Sequence, residues 1–169
     1  MAKPKAWRIA RLDWQSAEHS ARTAIAALLS IIVARALRLP EYYWAPITTL
    51  VVMQSTLGAA LTISGERIIG TALGAAAGAL LAPHFGSSII AFAAAVLVLG
   101  LICGALGVGR SAYRFSGITL AIVVLISRSN AAWTVATHRF IEVAIGVAVG
   151  LAVTAVWPEG KSEQRKRHP

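Results

Sequence analysis

The sequence has few charged residues: Asp, Glu, Lys and Arg make up only 14% of its 169 positions. An ordinary soluble domain carries about 25%. Because 57% of the residues are hydrophobic and the mean hydropathy is +0.68, a soluble fold of this chain would expose large apolar patches. The shortage of charge argues against a soluble enzyme and predicts an integral membrane protein.

Acidic residues are especially scarce, with 7 Asp and Glu against 16 Lys and Arg, for a net charge of +9. The basic residues form two terminal runs or stand singly between apolar stretches. A nucleic-acid interface would instead cluster Lys, Arg and aromatic residues. We therefore expect no nucleic-acid partner, and a lipid membrane as the partner of the terminal basic runs.

The chain has a single cysteine, Cys103, which excludes a disulfide framework and a thiol metal site. It also lacks a phosphate-binding loop, a nucleophile motif and a zinc signature. Two lone histidines, His84 and His138, are a weak metal signal. The sequence predicts no enzyme activity, no cofactor and no metal.

What the sequence has in abundance is apolar runs, and six of them are predicted to be transmembrane helices. They cover residues 22–39, 44–61, 68–82, 88–108, 115–127 and 139–157. Residues 21–158 would form the membrane domain, followed by a basic tail at 159–169. Residues 1–20 are predicted to be a basic amphipathic segment lying at the membrane surface, with a disordered tail as the alternative.

The distribution of basic residues predicts the orientation. Six spans place both termini on one side, and twelve of the sixteen Lys and Arg residues then fall on that side. Since cytoplasmic loops carry the excess of positive charge, we expect both termini in the cytoplasm and the protein in a bacterial-type inner membrane. The four basic residues on the outer side are Arg35, Arg38, Arg128 and Arg139.

Two of the apolar stretches, residues 67–83 and 139–158, each begin with an arginine and carry glycines seven and eleven residues later. The period is about 72 residues, or three spans. An odd number of spans would make the halves inverted repeats, as in many secondary transporters. A chance recurrence of Gly-xxx-Gly is the alternative. The glycines predicted to bring helices together are Gly70, Gly74, Gly78, Gly146 and Gly150.

Two features suggest a site for anions. Glu142 lies inside the last predicted span, three residues after Arg139, so the two could form an ion pair on one helix face. It is either a structural brace or a proton or substrate relay. The arginines on the outer side, with those inside, either extend to the headgroups or form an electropositive path for anions. Arg67 and Arg139 are predicted to lie at opposite membrane faces.

The segments YYWAPITTLVVMQSTLGAALTISGERIIGTALGAAAGALLAP and HRFIEVAIGVAVGLAV resemble the membrane domain of the fusaric acid resistance and aromatic acid exporter family. The resemblance, over residues 22–158, implies a six-helix unit that exports aromatic carboxylates or other organic anions. It extends distantly to aluminium-activated malate transporters, which are dimers. By resemblance, the motif positions are Trp44, Gln54, Arg67, Gly74, Arg139 and Glu142. The long exporters have a cytoplasmic domain and a second six-helix block, so we expect this chain to form a homo-oligomer, most simply a dimer.

The sequence therefore predicts an all-α membrane protein of six helices in two inverted repeats, acting as a transporter or channel for small organic anions. A membrane scaffold or partner subunit without transport activity is the alternative. A hydrated path lined by arginine would favour transport, and a dry core would favour the scaffold. The candidate substrate or pore residues are Arg35, Trp44, Gln54, Arg67, Arg128, Arg139 and Glu142.

Overall fold

The protein is built from helices throughout the residues that this computed structural model describes, which are 14–53, 56–126 and 131–158. The all-α class predicted from the sequence is confirmed. A π-helical turn, Ile122–Ile126, directly continues the fifth helix. The α-helices are α1 (Trp14–Ala36), α2 (Trp44–Val52), α3 (Leu57–Phe85), α4 (Ile89–Ala105), α5 (Arg110–Ala121) and α6 (Ala132–Val156).

Three stretches within the described residues are long and apolar enough to cross a bilayer: Ser16–Ala36, Leu57–Phe85 and Ala132–Val156. A crossing helix needs about 20 apolar residues, and α4 is apolar but has 17. The chain is therefore a multi-pass membrane protein by length and composition. Of the predicted surface segment 1–20, only residues 14–20 are described, and they belong to α1. The tail 159–169 lies outside the described residues.

The second predicted span, residues 44–61, does not form one helix. Instead α2 ends after 9 residues, which is about 14 Å of helix. The third predicted span was placed too late, because α3 begins at Leu57. The hydroxyl of Thr56 accepts the backbone N–H of Ala59 at 3.2 Å and caps α3. A threonine N-cap stabilises a helix start by about 1 kcal/mol, so the helix begins there. Residues 64–66, in the gap between the second and third predicted spans, are helical.

The two central helices, α3 and α6, pack antiparallel. One apolar cluster joins Ala60 of α3 to Val143 and Val147 of α6. A second cluster joins Ala75 of α3 to Ala136 of α6. Residue numbers fall along α6 as they rise along α3, so the helices run in opposite directions. The stretch between the two clusters is where both helices carry their arginine.

Next to α3, α5 packs in parallel through glycines. Gly74 lies against the carbonyl oxygen of Ser116, and a Cβ at Gly78 would lie 2.7 Å from the Cβ of Val123. Residue numbers rise together along the two helices from one contact to the next, so the helices run in the same direction. Glycine is needed here because the backbone of α5 occupies the space that a side chain at residue 74 would fill.

The short helix α2 packs in the same way against α6. Gly146 lies against the carbonyl oxygen of Ala45, and a Cβ at Gly150 would lie 3.1 Å from Val52 Cγ1. The hydroxyl of Thr49 donates a hydrogen bond to the carbonyl oxygen of Gly146 at 3.1 Å. Close backbones and an interhelical hydroxyl bond are the usual means of holding helices together in lipid.

The carboxyl end of α6 is fastened to α1. Arg22 is fully buried, and its Nη1 donates to the carbonyl oxygen of Trp157 at 2.8 Å. The indole N–H of Trp157 in turn donates to Glu18 at 2.9 Å. The last carbonyl groups of a helix have no partner within the helix, so Arg22 satisfies one of them and ties the two helices together.

We predict that Arg22→Ala lowers the unfolding temperature of the detergent-solubilised protein. A hydrogen bond from a charged donor contributes about 1.5–3 kcal/mol. The matched control is Arg35→Ala, on the same helix but with an exposed guanidinium, which we expect to change the unfolding temperature little. Equal unfolding temperatures for the two variants in thermal denaturation would contradict this role of Arg22.

Candidate functional site

The structure brings together four of the seven residues predicted to bind substrate: Trp44, Arg67, Arg139 and Glu142. Arg35 lies at the end of α1, exposed, and donates to the hydroxyl of Tyr42 at 3.0 Å. Its guanidinium carbon also lies 4.4 Å from the centre of the Tyr42 ring. The remaining two candidates, Gln54 and Arg128, lie outside the described residues.

Arg67 and Arg139 are both buried inside the bundle and lie near each other. Arg67 is 4% exposed and Arg139 is 1% exposed, and they are close enough for their charges to repel. The expectation that they lie at opposite membrane faces is wrong. It assumed that each arginine begins its helix, whereas α3 begins ten residues before Arg67 and α6 seven residues before Arg139. Both therefore lie between the two apolar clusters.

Each arginine is covered by an aromatic ring from the helix packed in parallel beside it. The guanidinium carbon of Arg139 lies 3.4 Å from the centre of the Trp44 ring, and that of Arg67 lies 4.4 Å from the centre of the Phe115 ring. A cation over an aromatic face is stabilised by about 2 kcal/mol when it is desolvated. The rings therefore offset part of the cost of burying two positive charges.

Phe115 was missed by the sequence analysis, although a signal for it exists. It follows Trp44 by 71 residues, which is close to the period between the two arginines. The same offset relates Ala45 to Ser116, the two residues whose carbonyl groups face Gly146 and Gly74. The repeat, extended to α2 and α5, identifies Phe115 as the counterpart of Trp44.

The charged groups of this site have unused hydrogen-bonding capacity. Arg67 donates from Nη2 to the hydroxyl of Thr48 at 3.3 Å, while its Nε has no acceptor among the described residues. All three nitrogens of Arg139 and both carboxylate oxygens of Glu142 lack a partner within the described chain. Arg139 and Glu142 are thus not joined by the hydrogen-bonded ion pair that their spacing suggested. Buried donors without an acceptor are costly, and they suit a ligand rich in acceptors.

A second carboxylate borders the site. Glu41 precedes α2, and its Oε2 accepts the indole N–H of Trp44 at 3.0 Å. Its charge acts on both Arg139 and Glu142. We call the group of Arg67, Arg139, Glu142, Trp44 and Phe115 the arginine site.

A surface groove lies elsewhere. It has a volume of about 300 Å³, runs between α4 and α5, and has Tyr113 and Arg110 in its lining. No residue of the arginine site lines it. Within the described stretches, no three His, Cys, Asp or Glu side chains come together as a metal site requires. The arginine site is therefore where buried charge and unused donors coincide.

Comparison with known proteins adds a family match. A family model described as fusaric acid resistance protein-like matches residues 27–153. The chain is 32% identical over 166 residues to a protein of Escherichia coli strain K12 named uncharacterized transporter YdhK. It is 31% identical over 149 residues to inner membrane protein YeeA of the same strain.

These relatives are longer proteins. The first alignment covers 90% of this chain but 25% of YdhK, and the second covers 83% of this chain and 41% of YeeA. The chain thus spans about a quarter to two fifths of the length of these relatives. No solved structure matches the chain.

Proposed function

The chain belongs to the fusaric acid resistance protein-like family, and from this membership we propose that it carries small organic anions, such as aromatic carboxylates, out of the cell across the inner membrane. Its relatives are named as a transporter and an inner membrane protein. The observation that carries the proposal is the arginine site, where two buried guanidinium groups from different helices retain unused N–H donors.

The chemistry of this site suits an aromatic carboxylate. A guanidinium is always charged and can hold a carboxylate with two parallel hydrogen bonds. Arg139 has three nitrogens with no acceptor among the described residues. The rings of Trp44 and Phe115 offer faces on which an aromatic ring can stack. A ligand with a carboxylate on an aromatic ring would satisfy both kinds of group at once.

We further propose that α1–α3 and α4–α6 are inverted repeats, each contributing one arginine to the site. The parallel pairs support this, because the contacts of α5 with α3 recur in the contacts of α2 with α6. Arg67, Gly74 and Gly78 precede their counterparts by 72 residues. Transporters with inverted repeats bind substrate near the membrane midplane, between the repeats. In this proposal all six helices belong to the membrane domain, α2 as a short half-helix, with both termini cytoplasmic.

A scaffold without transport activity is the second candidate, and the burial of both arginines favours it. A brace would keep the guanidinium groups covered, as Trp44 and Phe115 cover them here. A transporter would uncover them when the passage opens. A homo-dimer fits either function, and the exposed apolar side chains of α4, such as Ile89 and Ile90, offer a surface for lipid or for a second copy.

Flux measurements in liposomes test the proposal. With benzoate loaded inside, we expect it to leave protein-containing liposomes faster than protein-free ones, down its own concentration gradient. Benzylamine, a cation of similar shape, is the matched control and should not be transported. Assembled protein that passes no carboxylate from a panel of aromatic and aliphatic acids would support the scaffold and reject transport.

A further inference from the structure

The two halves of the arginine site differ in one respect. Glu142 is completely buried, and its carboxylate oxygens make no hydrogen bond of ordinary length and angle among the described residues, although the backbone N–H of Glu41 lies near enough to favour its charged form. The residue 72 positions earlier is Gly70, which lies against the carbonyl oxygen of Ala112. Helix packing therefore explains glycine at this position in one half and does not explain a carboxylate in the other.

The groups that act on Glu142 come from several elements. On its own helix, Arg139 acts on it from one turn earlier, and the half-buried His138 lies four residues earlier. Glu41, ahead of α2, acts on it in two opposite ways: its carboxylate repels Glu142, and its backbone N–H stabilises the charge of Glu142. Arg67 of α3 and Tyr43, at the start of α2, act on the charge of Arg139, and Arg139 in turn acts on Glu142. The carboxylate thus has a cation within reach on its own helix face and another carboxylate nearby.

We propose that Glu142 competes with the transported anion for Arg139 and takes up a proton when that anion binds. This rests on the proposed function and adds a regulatory proton to the same site. In the empty site, Glu142 is ionised. It lies three residues after Arg139 on the same helix face. An incoming carboxylate bonds to the unused donors of Arg139 and offsets its positive charge, which leaves Glu142 buried without a net cation beside it.

A buried, ionised carboxylate without a partner is strongly unfavourable. Protonation of Glu142 removes its negative charge and its repulsion by the bound anion and by Glu41. The charge balance closes, because one negative anion and one proton enter together and the net charge of the site is unchanged. By thermodynamic linkage, protons raise the affinity for the anion by the same factor as the anion raises the affinity for protons.

A Glu142 that competes for Arg139 and a Glu142 that merely orients Arg139 predict opposite effects of Glu142→Gln on the affinity for the anion. If Glu142 held Arg139 in place, Glu142→Gln would weaken anion binding at every pH. If Glu142 competes, the neutral amide of Glu142→Gln imitates the protonated carboxyl. The variant then binds the anion more tightly than the wild type at high pH, and about equally at low pH.

Calorimetric titration of the full-length, detergent-solubilised protein with benzoate provides the test. For the wild type, we expect the affinity to fall as the pH rises, by up to about tenfold for each pH unit, because one proton is taken up per anion. Titrations in two buffers of different ionisation enthalpy measure that proton directly. Glu142→Gln should take up no proton and show a flat pH profile.

Two further variants keep the result interpretable. Glu142→Asp retains a carboxylate and should retain proton uptake, even if its affinity changes. Glu66→Gln removes a half-buried carboxylate of α3 that lies against Gly109, outside the arginine site, and should behave as the wild type. Wild-type protein that is folded and binds no carboxylate would reject the proposed function itself. Benzoate binding with the same proton uptake in wild type and Glu142→Gln would overturn the role of Glu142 alone.

Discussion

Replacing Arg67 or Arg139 by alanine is expected to lower carboxylate flux in liposomes by about tenfold to a hundredfold, and replacing both to abolish it. A hydrogen bond to a charged group contributes about 1.5–3 kcal/mol, and each 1.4 kcal/mol is a factor of ten in affinity. Lysine keeps the charge and loses the two-pronged geometry, so Arg67→Lys and Arg139→Lys should lose less. Arg110→Ala is the matched control, because Arg110 lines the α4–α5 groove and not the arginine site.

The brace interpretation predicts a different pattern for the same variants. If the arginines only hold helices together, the alanine variants should lose expression and assembly along with flux, since each removes a buried, ring-covered side chain. Folded yield and flux must therefore be measured on the same preparations. An Arg67→Ala, Arg139→Ala double variant that assembles well and passes benzoate at the normal rate would refute a role for the arginines in transport.

The roles assigned to the contact glycines and to the two arginines stay predictions. Sequence patterns did predict the helical class, because it depends on local composition. They did not predict where α2 ends. The predicted second span ran through the polar stretch from Gln54 to Thr56 as far as residue 61. The capping bond of Thr56 and the burial of Ser64 and Arg67 within α3 place the boundary at Thr56, and burial is not visible in a single sequence.

The observed starts of α3 and α6 also change which arginines count towards the predicted orientation. The predicted orientation assigned Arg67 to the cytoplasmic side and Arg139 to the outer side, as loop residues. Both are buried within helices, and only charges in loops bear on orientation. Without these two and Arg22, which is also buried within a helix, the twelve-to-four distribution becomes ten to three. The excess of basic residues still lies on the predicted cytoplasmic side, so the predicted orientation is unchanged. Arg67 and Arg139 belong to the arginine site and do not bear on orientation.

The proposed repeats also predict how substitutions of glycine should behave. A Cβ at Gly74 would overlap the carbonyl oxygen of Ser116, and one at Gly146 the carbonyl oxygen of Ala45. In both cases the obstacle is backbone, so the helices themselves would have to move apart. Overpacking of this kind typically costs about 1–3 kcal/mol. We expect Gly74→Ala and Gly146→Ala to lower the unfolding temperature by similar amounts, because the two contacts are equivalent.

Substitutions at two other glycines are expected to lower the unfolding temperature less or not at all. The atoms nearest to a Cβ at Gly150 belong to the side chains of Val52, at 3.1 Å, and Thr49, at 3.8 Å, and a rotation of the Val52 side chain can relieve the closest contact. No atom lies within 4 Å of a Cβ at Gly104, so Gly104→Ala should be neutral or stabilise the helix by about 0.5–1 kcal/mol. Thermal unfolding in detergent should therefore rank Gly104→Ala as most stable, Gly150→Ala next, and the variants at 74 and 146 last. Because residues 74 and 146 contact their own chain, their variants should lose folding and not assembly alone. A variant at 74 or 146 that unfolds at the temperature of Gly104→Ala would mean that the close helix contacts do not hold this bundle together.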